Sequence, residues 1–415
     1  MLNRAYRVRR RGAGGWRERA NDRTGRVDPV QYKDNGGARR RERILGSWLL
    51  VLAGMVFTMV VLGGLTRLTQ SGLSMVEWRP VTGWLPPLSQ ESWEQAFAAY
   101  KAFPEYEKIN AGMSLADFKS IFWLEFVHRL WGRLIGLAFA VPFIVFLARR
   151  WIDRAFSLKL LGMFVLGGLQ GGLGWYMVAS GLVDRPDVSQ YRLAAHLGMA
   201  LVIYAYILWV ALGLLLPRRA VVLPSRAVAG RAMAITALIF VTIVSGGFVA
   251  GLDAGYAYNT FPLMDGELIP AHLLASSPWW RSFFEDVTTV QFTHRLLALT
   301  TFSCVLAQFV WSRRPGTTAE VRRASAALAG WVCVQVGLGI ATLLSIVALP
   351  LAAMHQASAL VLWTLALWTS FEALGRPAAG SAAGSADARK RASAPGRATA
   401  SGPAHITGQT KEIAL

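Results

Sequence analysis

The sequence has little charge for its length. Only 16% of its 415 residues are Asp, Glu, Lys or Arg, whereas 54% are hydrophobic, and ordinary soluble domains carry about 25% charged residues. This composition argues against a disordered polymer and against a single soluble domain. Cysteine is also scarce: Cys304 and Cys333 both lie in apolar stretches, which excludes a disulfide in the polar loops between those stretches.

Long apolar stretches dominate the rest of the chain. A helix needs about 20 apolar residues to cross a bilayer, and eight stretches meet this length. They lie at 45–66, 121–148, 157–180, 192–216, 231–251, 288–312, 324–346 and 350–374. We therefore predict an all-α integral membrane protein with eight transmembrane helices.

The distribution of basic residues predicts the orientation of these helices. The net charge is +19, and 32 of the 43 Lys and Arg residues fall in the terminal and loop segments of one side, against 7 on the other side. The positive-inside rule then makes both termini cytoplasmic. We interpret the charge as a topology signal and expect no nucleic-acid partner, although nucleic-acid binding by the basic N-terminus is the alternative.

The first four spans resemble the last four. The matching segments are Val61–Arg67 with Val244–Ala250, Glu125–Leu130 with Gln291–Leu296, Gln170–Gly174 with Gln335–Gly339, and His196–Val202 with His355–Val361. An even number of spans in each repeat gives both copies the same orientation. This predicts two tandem four-helix bundles related by a pseudo-twofold axis along the membrane normal.

The predicted domain organisation follows from the repeat. The expected units are a disordered basic cytoplasmic tail (1–44), an N-terminal bundle (45–216) with a long outer loop (67–119), a cytoplasmic linker (217–230), a C-terminal bundle (231–374) and a disordered cytoplasmic tail (375–415). The long loop is the main asymmetry, because the corresponding loop of the second half covers only 252–287. We expect it to cover a substrate.

Four of the six histidines lie in spans, near the ends predicted to be outer. They are His128, His196, His294 and His355. Ionisable groups are costly within a membrane and usually functional there. Two imidazoles at one depth in a four-helix core suit the axial positions of a haem iron. Hydrogen-bonded structural histidines are the alternative.

The repeats differ at one position beside these histidines. Glu125 precedes His128 by three residues and shares its helix face, whereas the second repeat has Gln291. A carboxylate inside a span suits proton transfer, and a structural partner for an Arg or His is the alternative. A Glu-x-x-His pair also occurs in di-iron bundles, but those need a second such pair and further carboxylates in the core.

Three arginines accompany the histidines. Arg129 and Arg295 directly follow His128 and His294, and Arg192 lies one helical turn before His196. They suit contacts with haem propionates, or they snorkel to lipid headgroups.

Five segments together resemble the haem A synthase family. They are Gly63–Ser74, Glu77–Pro80, Gly112–Ser114, Phe122–Arg129 and Ala254–Met264. The resemblance covers about 45–374, and the long outer loop is similar to the proteobacterial and mitochondrial type without the loop cysteine pair of other relatives. It implies an oxidoreductase that converts one methyl group of haem O to a formyl group, which gives haem A for terminal oxidases.

The resemblance also implies roles for the site residues. His294 and His355 would ligate a haem b cofactor, His128 and His196 would hold the iron of the substrate haem, and Glu125 would be catalytic. A bis-His b-type cytochrome that relays electrons and a haem carrier are the alternatives.

The expected setting is a bacterial inner membrane, with the haem sites toward the periplasm; a mitochondrial inner membrane is the alternative. Expected partners are haem O, membrane lipid, an unidentified electron-transfer partner and, from the pathway, the haem O synthase. Homo-oligomerisation stays open.

Overall fold

The computed structural model of the protein describes residues 29–77, 82–181, 188–216 and 226–375. The helices are α1 (Pro29–Leu68), α2 (Gln90–Lys101), α3 (Pro104–Lys108), α4 (Leu115–Ala148), α5 (Arg154–Gly181), α6 (Gln190–Leu215), α7 (Arg226–Gly251), α8 (Ser282–Glu285), α9 (Val287–Ser312), α10 (Ala319–Leu344) and α11 (Leu349–Leu374). All but α2, α3 and α8 are long and apolar enough to cross a membrane, which makes eight candidate spans among the described residues. The predicted all-α class and the predicted number of spans are confirmed.

All eight spanning helices begin earlier than the sequence predicts, and α1, α4 and α7 begin inside a segment predicted to be a tail, loop or linker. α1 starts at Pro29 instead of residue 45, so residues 29–44, expected in a disordered tail, are helical. Pro suits the first turn of a helix, and the arginines near residue 40 are good helix formers. α7 starts at Arg226, inside the predicted linker. The remaining parts of the predicted tails and linker, 1–28, 376–415 and 217–225, lie outside the described residues.

In each half, four spanning helices pack in a ring. α1, α4, α5 and α6 contact one another in that cyclic order, and α7, α9, α10 and α11 do the same. The two rings meet where α1 and α6 contact α7 and α11. α11 is central, since most of its apolar stretch is buried within the protein, whereas little of the apolar stretches of α4 and α5 is buried. The pseudo-twofold relation and the orientation in the membrane stay predictions.

The long first loop folds into a cap on the N-terminal end of α4. Trp93, Phe97 and Tyr100 of α2 form one buried cluster with Phe118 and Phe122 of α4. α4 itself begins with a capping box, in which the Ser114 hydroxyl accepts from the Asp117 N–H,. The cap is therefore anchored on the helix that carries Glu125 and His128.

The two halves approach each other closely at two Gly-Gly pairs, Gly63–Gly64 and Gly246–Gly247, in each case at the second glycine. A side-chain carbon at Gly64 of α1 would lie 1.5 Å from Oε1 of Gln356 on α11. The same amide donates from Nε2 to the Val60 carbonyl over 2.8 Å. In the other direction, a side-chain carbon at Gly247 of α7 would lie 3.5 Å from the Ala194 Cα on α6. The glycines thus leave room for a side chain of the other half at Gly64 and for its backbone at Gly247,.

We expect Gly64→Ala to destabilise the contact between the halves. The new methyl group displaces the Gln356 amide and breaks its bond to Val60, which costs about 1 kcal/mol, and lowers the apparent unfolding temperature in detergent. Gly54→Ala is the matched control, because a side-chain carbon at Gly54 of the same helix would meet no other described part of the chain within 4 Å. The cost of Gly64→Ala should shrink in a Gln356→Ala background. Equal destabilisation in both backgrounds would contradict this account.

Candidate functional site

The four span histidines form two pairs. His128 of α4 and His196 of α6 lie close enough for their charged forms to repel each other, and the same holds for His294 of α9 and His355 of α11. Each pair therefore comes from the second and fourth helix of one ring. All four imidazoles are half-buried, so each ring keeps a surface that a bound molecule can reach.

A glycine lies against each of these rings. Side-chain carbons placed at Gly63, Gly174, Gly246 and Gly339 would lie 3.0, 3.0, 3.2 and 2.9 Å from Cε1 of His128, His196, His294 and His355, respectively. Few real side-chain carbons approach another atom so closely. The absence of a side chain at these positions lets the imidazole lie directly on the neighbouring helix backbone.

Hydroxyl groups hold one histidine of each pair. Oγ1 of Thr66 lies 3.4 Å from Nδ1 of His128 and donates its hydrogen to the Leu62 carbonyl at 2.8 Å. Oγ of Ser245 lies 2.7 Å from Nδ1 of His294 and donates to the Thr242 carbonyl at 2.8 Å. Because each hydroxyl has already used its hydrogen, it accepts from Nδ1–H, and Nε2 keeps its lone pair.

Glutamine amides hold the other histidine of each pair. Nε2 of Gln170 lies 3.3 Å from Nδ1 of His196 and donates to the carbonyl of the same residue at 3.1 Å. Gln335 repeats both contacts on His355, at 3.2 and 3.1 Å. Oε1 of each glutamine is buried without a hydrogen-bond partner in the structure. Rotation of the glutamine amide would bring its Oε1 to the Nδ1–H group of the histidine when the histidine Nε2 binds a metal.

These contacts fit an iron porphyrin held between two imidazoles. A partner at Nδ1 orients the ring and makes Nε2 the ligand atom, as in most histidine–metal sites. Among the described residues, no three His, Cys, Asp or Glu side chains converge on one point. A site with two imidazoles suits a porphyrin iron, because the macrocycle itself supplies the remaining four ligands.

Glu125 lies at the centre of a hydrogen-bond network. Its Oε2 accepts from the Ser74 hydroxyl and from the Met75 N–H, both at 2.7 Å. Its Oε1 accepts from Nη2 of Arg129, with which it forms an ion pair. Arg129 also donates to the Met75 and Glu77 carbonyls. The carboxylate is 3% exposed, and the network ties the start of the long loop to α4.

Gln291 occupies the same position in the second half with the opposite polarity around it. Its Oε1 accepts from Arg295 at 3.0 Å, but its Nε2 donates to the Ala254 and Tyr258 carbonyls at 2.7 and 3.2 Å. The loop backbone thus presents an N–H group to Glu125 and C=O groups to Gln291. A carboxylate suits only the first arrangement and an amide suits the second.

The three arginines face different surroundings. Arg129 and Arg295 both bind loop carbonyls, and Arg295 reaches those of Tyr258, at 2.8 Å, and Thr260, at 2.9 Å. Nε of Arg295 is buried and has no hydrogen-bond partner in the structure. Arg192 lies over the Tyr176 ring, 4.4 Å from its centroid. The predicted contacts of these arginines with propionates stay a prediction.

Sequence reasoning missed the second set of site residues. Thr66 and Ser245 lie in matching segments of the repeat but at positions that are not equivalent, and Ser74 lies outside the repeat, so the repeat does not single them out. Gln170 and Gln335 did carry a signal, since they occupy equivalent positions in the matching segments.

Comparison with known proteins agrees with this arrangement. Residues 46–367 match the cytochrome oxidase assembly protein family COX15-CtaA. The haem A synthase of Nitrosospira multiformis is 53% identical over 333 residues, which cover 80% of this chain and 94% of that protein. The haem A synthase COX15 of Bos taurus is 46% identical over 339 residues, which cover 80% and 82%.

This chain belongs to the haem A synthase family. The resemblance seen in the sequence is thereby confirmed. Its relatives in the haem A synthase family come from both bacteria and an animal, and the matched range includes all eight candidate spans at least in part.

The glycines opposite the histidines predict a specific loss of haem. Gly339→Ala forces the His355 ring to shift, and we expect haem affinity at that site to fall by about tenfold or more, as for other changes that misalign a metal ligand. Gly337→Ala is the matched control on the same helix, because a side-chain carbon there would meet no other described part of the chain within 4 Å. Haem bound per purified chain, measured by absorbance during titration, is the readout. Equal affinity in the two variants would refute the role of Gly339.

Proposed function

We propose that the chain is a haem A synthase that oxidises one ring methyl group of haem O to a formyl group. His128 and His196 hold the substrate iron in the N-terminal half, and His294 and His355 hold a haem b in the C-terminal half. The family membership and the matched surroundings of the two histidine pairs support this assignment. The reaction makes the chain an oxidoreductase.

The contrast between Glu125 and Gln291 carries the division between the halves. Both halves have two histidines, two glycines against them and a glutamine at one Nδ1. Only the N-terminal half places a carboxylate three residues before its first histidine. Only that half has a folded cap of two helices on its second spanning helix. A carboxylate under a folded cap suits a reaction site, because it can move protons away from bulk water.

Glu125 is the residue that handles charge and protons at the substrate methyl group. Conversion of the methyl group to a formyl group replaces two of its hydrogens by one oxygen atom and passes four electrons to an electron-transfer partner, so a nearby carboxylate favours the oxidised state and accepts a released proton. Ser74, Met75 and Arg129 fix the carboxylate before the reaction, which removes the cost of reorienting it. A haem b held by His294 and His355 would supply one-electron transfer.

The cap contributes by excluding water from this carboxylate. Arg129 connects Glu125 to the Met75 and Glu77 carbonyls, so the start of the long loop is held over the same helix turn. Water exclusion strengthens the electrostatic interactions within a site.

We place the chain in a bacterial inner membrane with both haem sites toward the periplasm, on the support of the Lys and Arg distribution,.

A haem carrier is the second candidate, because the ion pair of Glu125 with Arg129 is also what a purely structural carboxylate would form. In that case a glutamine should serve equally well at position 125. The chain itself shows that glutamine can hold the arginine, since Gln291 accepts from Arg295. Haem A formation by the unaltered chain therefore separates the two candidates, and Glu125→Gln tests the role of the carboxylate.

We expect membranes that contain haem O and this chain to accumulate haem A, detected by chromatography of extracted haems with mass detection. Glu125→Gln should lower haem A formation by about 100-fold or more, which is the usual contribution of a positioned acid or base, and should leave bound haem b intact. Absence of hydroxylated or formyl haem with the folded, unaltered chain would contradict the synthase function. Unchanged haem A formation in the variant would contradict only the role of Glu125.

A further inference from the structure

In each half one histidine Nδ1 contacts a glutamine amide and the other contacts a hydroxyl group. The amide contacts are the same in both halves, whereas the hydroxyl contacts differ in length. The amides of Gln170 and Gln335 lie 3.3 and 3.2 Å from the rings of His196 and His355, so this pair of contacts is the same in both halves. The hydroxyl contacts differ, at 3.4 Å for Thr66 with His128 and 2.7 Å for Ser245 with His294. Only the second of these is a short hydrogen bond.

The difference has a clear origin in the repeat. Ser245 aligns with Leu62, and Thr66 aligns with Val249. The hydroxyl group has therefore moved by one helical turn between α1 and α7, and each half has an apolar residue where the other half has its hydroxyl. In α7 the hydroxyl is beside Gly246, which faces the edge of the same His294 ring.

A short bond from Nδ1–H changes how the ring binds a metal at Nε2. An acceptor at Nδ1 draws the proton away from the ring, which raises the basicity of the ligand. A more basic axial ligand stabilises ferric over ferrous iron, and second-shell hydrogen bonding is one of the means by which a protein sets the reduction potential of a haem. A contact of 3.4 Å has little such effect.

We propose that Ser245 is a positioning residue that lowers the reduction potential of the haem iron bound to His294, through the short hydrogen bond at Nδ1, whereas His128 lacks an equivalent bond. The proposal rests on the proposed function in one respect, that His294 ligates haem b. With haem b bound there, Ser245 would make its ferrous form a stronger one-electron reductant. The substrate half has no matching device at the aligned residue, Leu62.

The test uses the full chain, purified in detergent from a host that makes haem b and no haem O. A redox titration followed by the haem absorbance gives the midpoint potential. We expect Ser245→Ala to shift the ferric–ferrous equilibrium about tenfold toward ferrous iron, a rise of about 59 mV for one electron. Ser245→Thr keeps a hydroxyl at the same atom position and should restore the original value.

Two further variants separate this effect from a general change of polarity or fold. Ser303→Ala, on the same helix as His294, removes a hydroxyl that bonds only to the Leu299 carbonyl of its own helix, and should leave the midpoint unchanged. The double variant Ser245→Leu with Val249→Thr gives the second half the arrangement of the first and should raise the midpoint although a hydroxyl remains. It also replaces Ser245→Ala as the test if that variant does not bind haem.

The outcomes distinguish failure of the role of Ser245 from failure of the proposed function. Full haem b content with an unchanged midpoint in Ser245→Ala overturns the role of Ser245 and leaves the proposed function intact. An unaltered, folded chain that holds no haem b overturns both.

Discussion

The structure depends on one constraint: four imidazole rings lie inside apolar helices, and their nitrogens need partners where water is scarce. Each ring has one nitrogen held by a hydroxyl or an amide and one side against a glycine. These contacts lie between neighbouring spanning helices of one half, so they also determine how closely those helices pack. The Gly-Gly pairs extend the constraint across the molecule, because Gly63 faces His128 while Gly64 faces Gln356 of the other half.

The loop backbone differs in polarity around Glu125 and around Gln291. Met75 presents an N–H group to Glu125, whereas Ala254 and Tyr258 present carbonyls to Gln291. The identity of the residue at this position is therefore matched to a loop that differs between the halves. The same arginine position is retained in both, and it binds loop carbonyls in both. The two halves thus differ in the loop backbone and in the one side chain that binds it.

Much of the fold could be predicted from the sequence, because a membrane helix needs a long apolar run and the chain has eight of them. The pairing of His128 with His196 and of His294 with His355 followed from their matched places in the repeat. The start of α1 at Pro29 could not be predicted, since hydropathy does not detect a polar, arginine-rich extension of a helix. The partners of Glu125 and His294 could not be predicted either, because Ser74 and Ser245 reach them only through loop conformation and helix rotation.

The central claim is that the two halves have separate tasks, with haem b held by the C-terminal pair. The most direct test is the haem b content of the four single histidine-to-alanine variants, purified from a host without haem O and measured per folded chain. The account predicts that His294→Ala and His355→Ala lose most of the haem b, whereas His128→Ala and His196→Ala retain it. Equal loss from all four, or loss confined to the N-terminal pair, would contradict it.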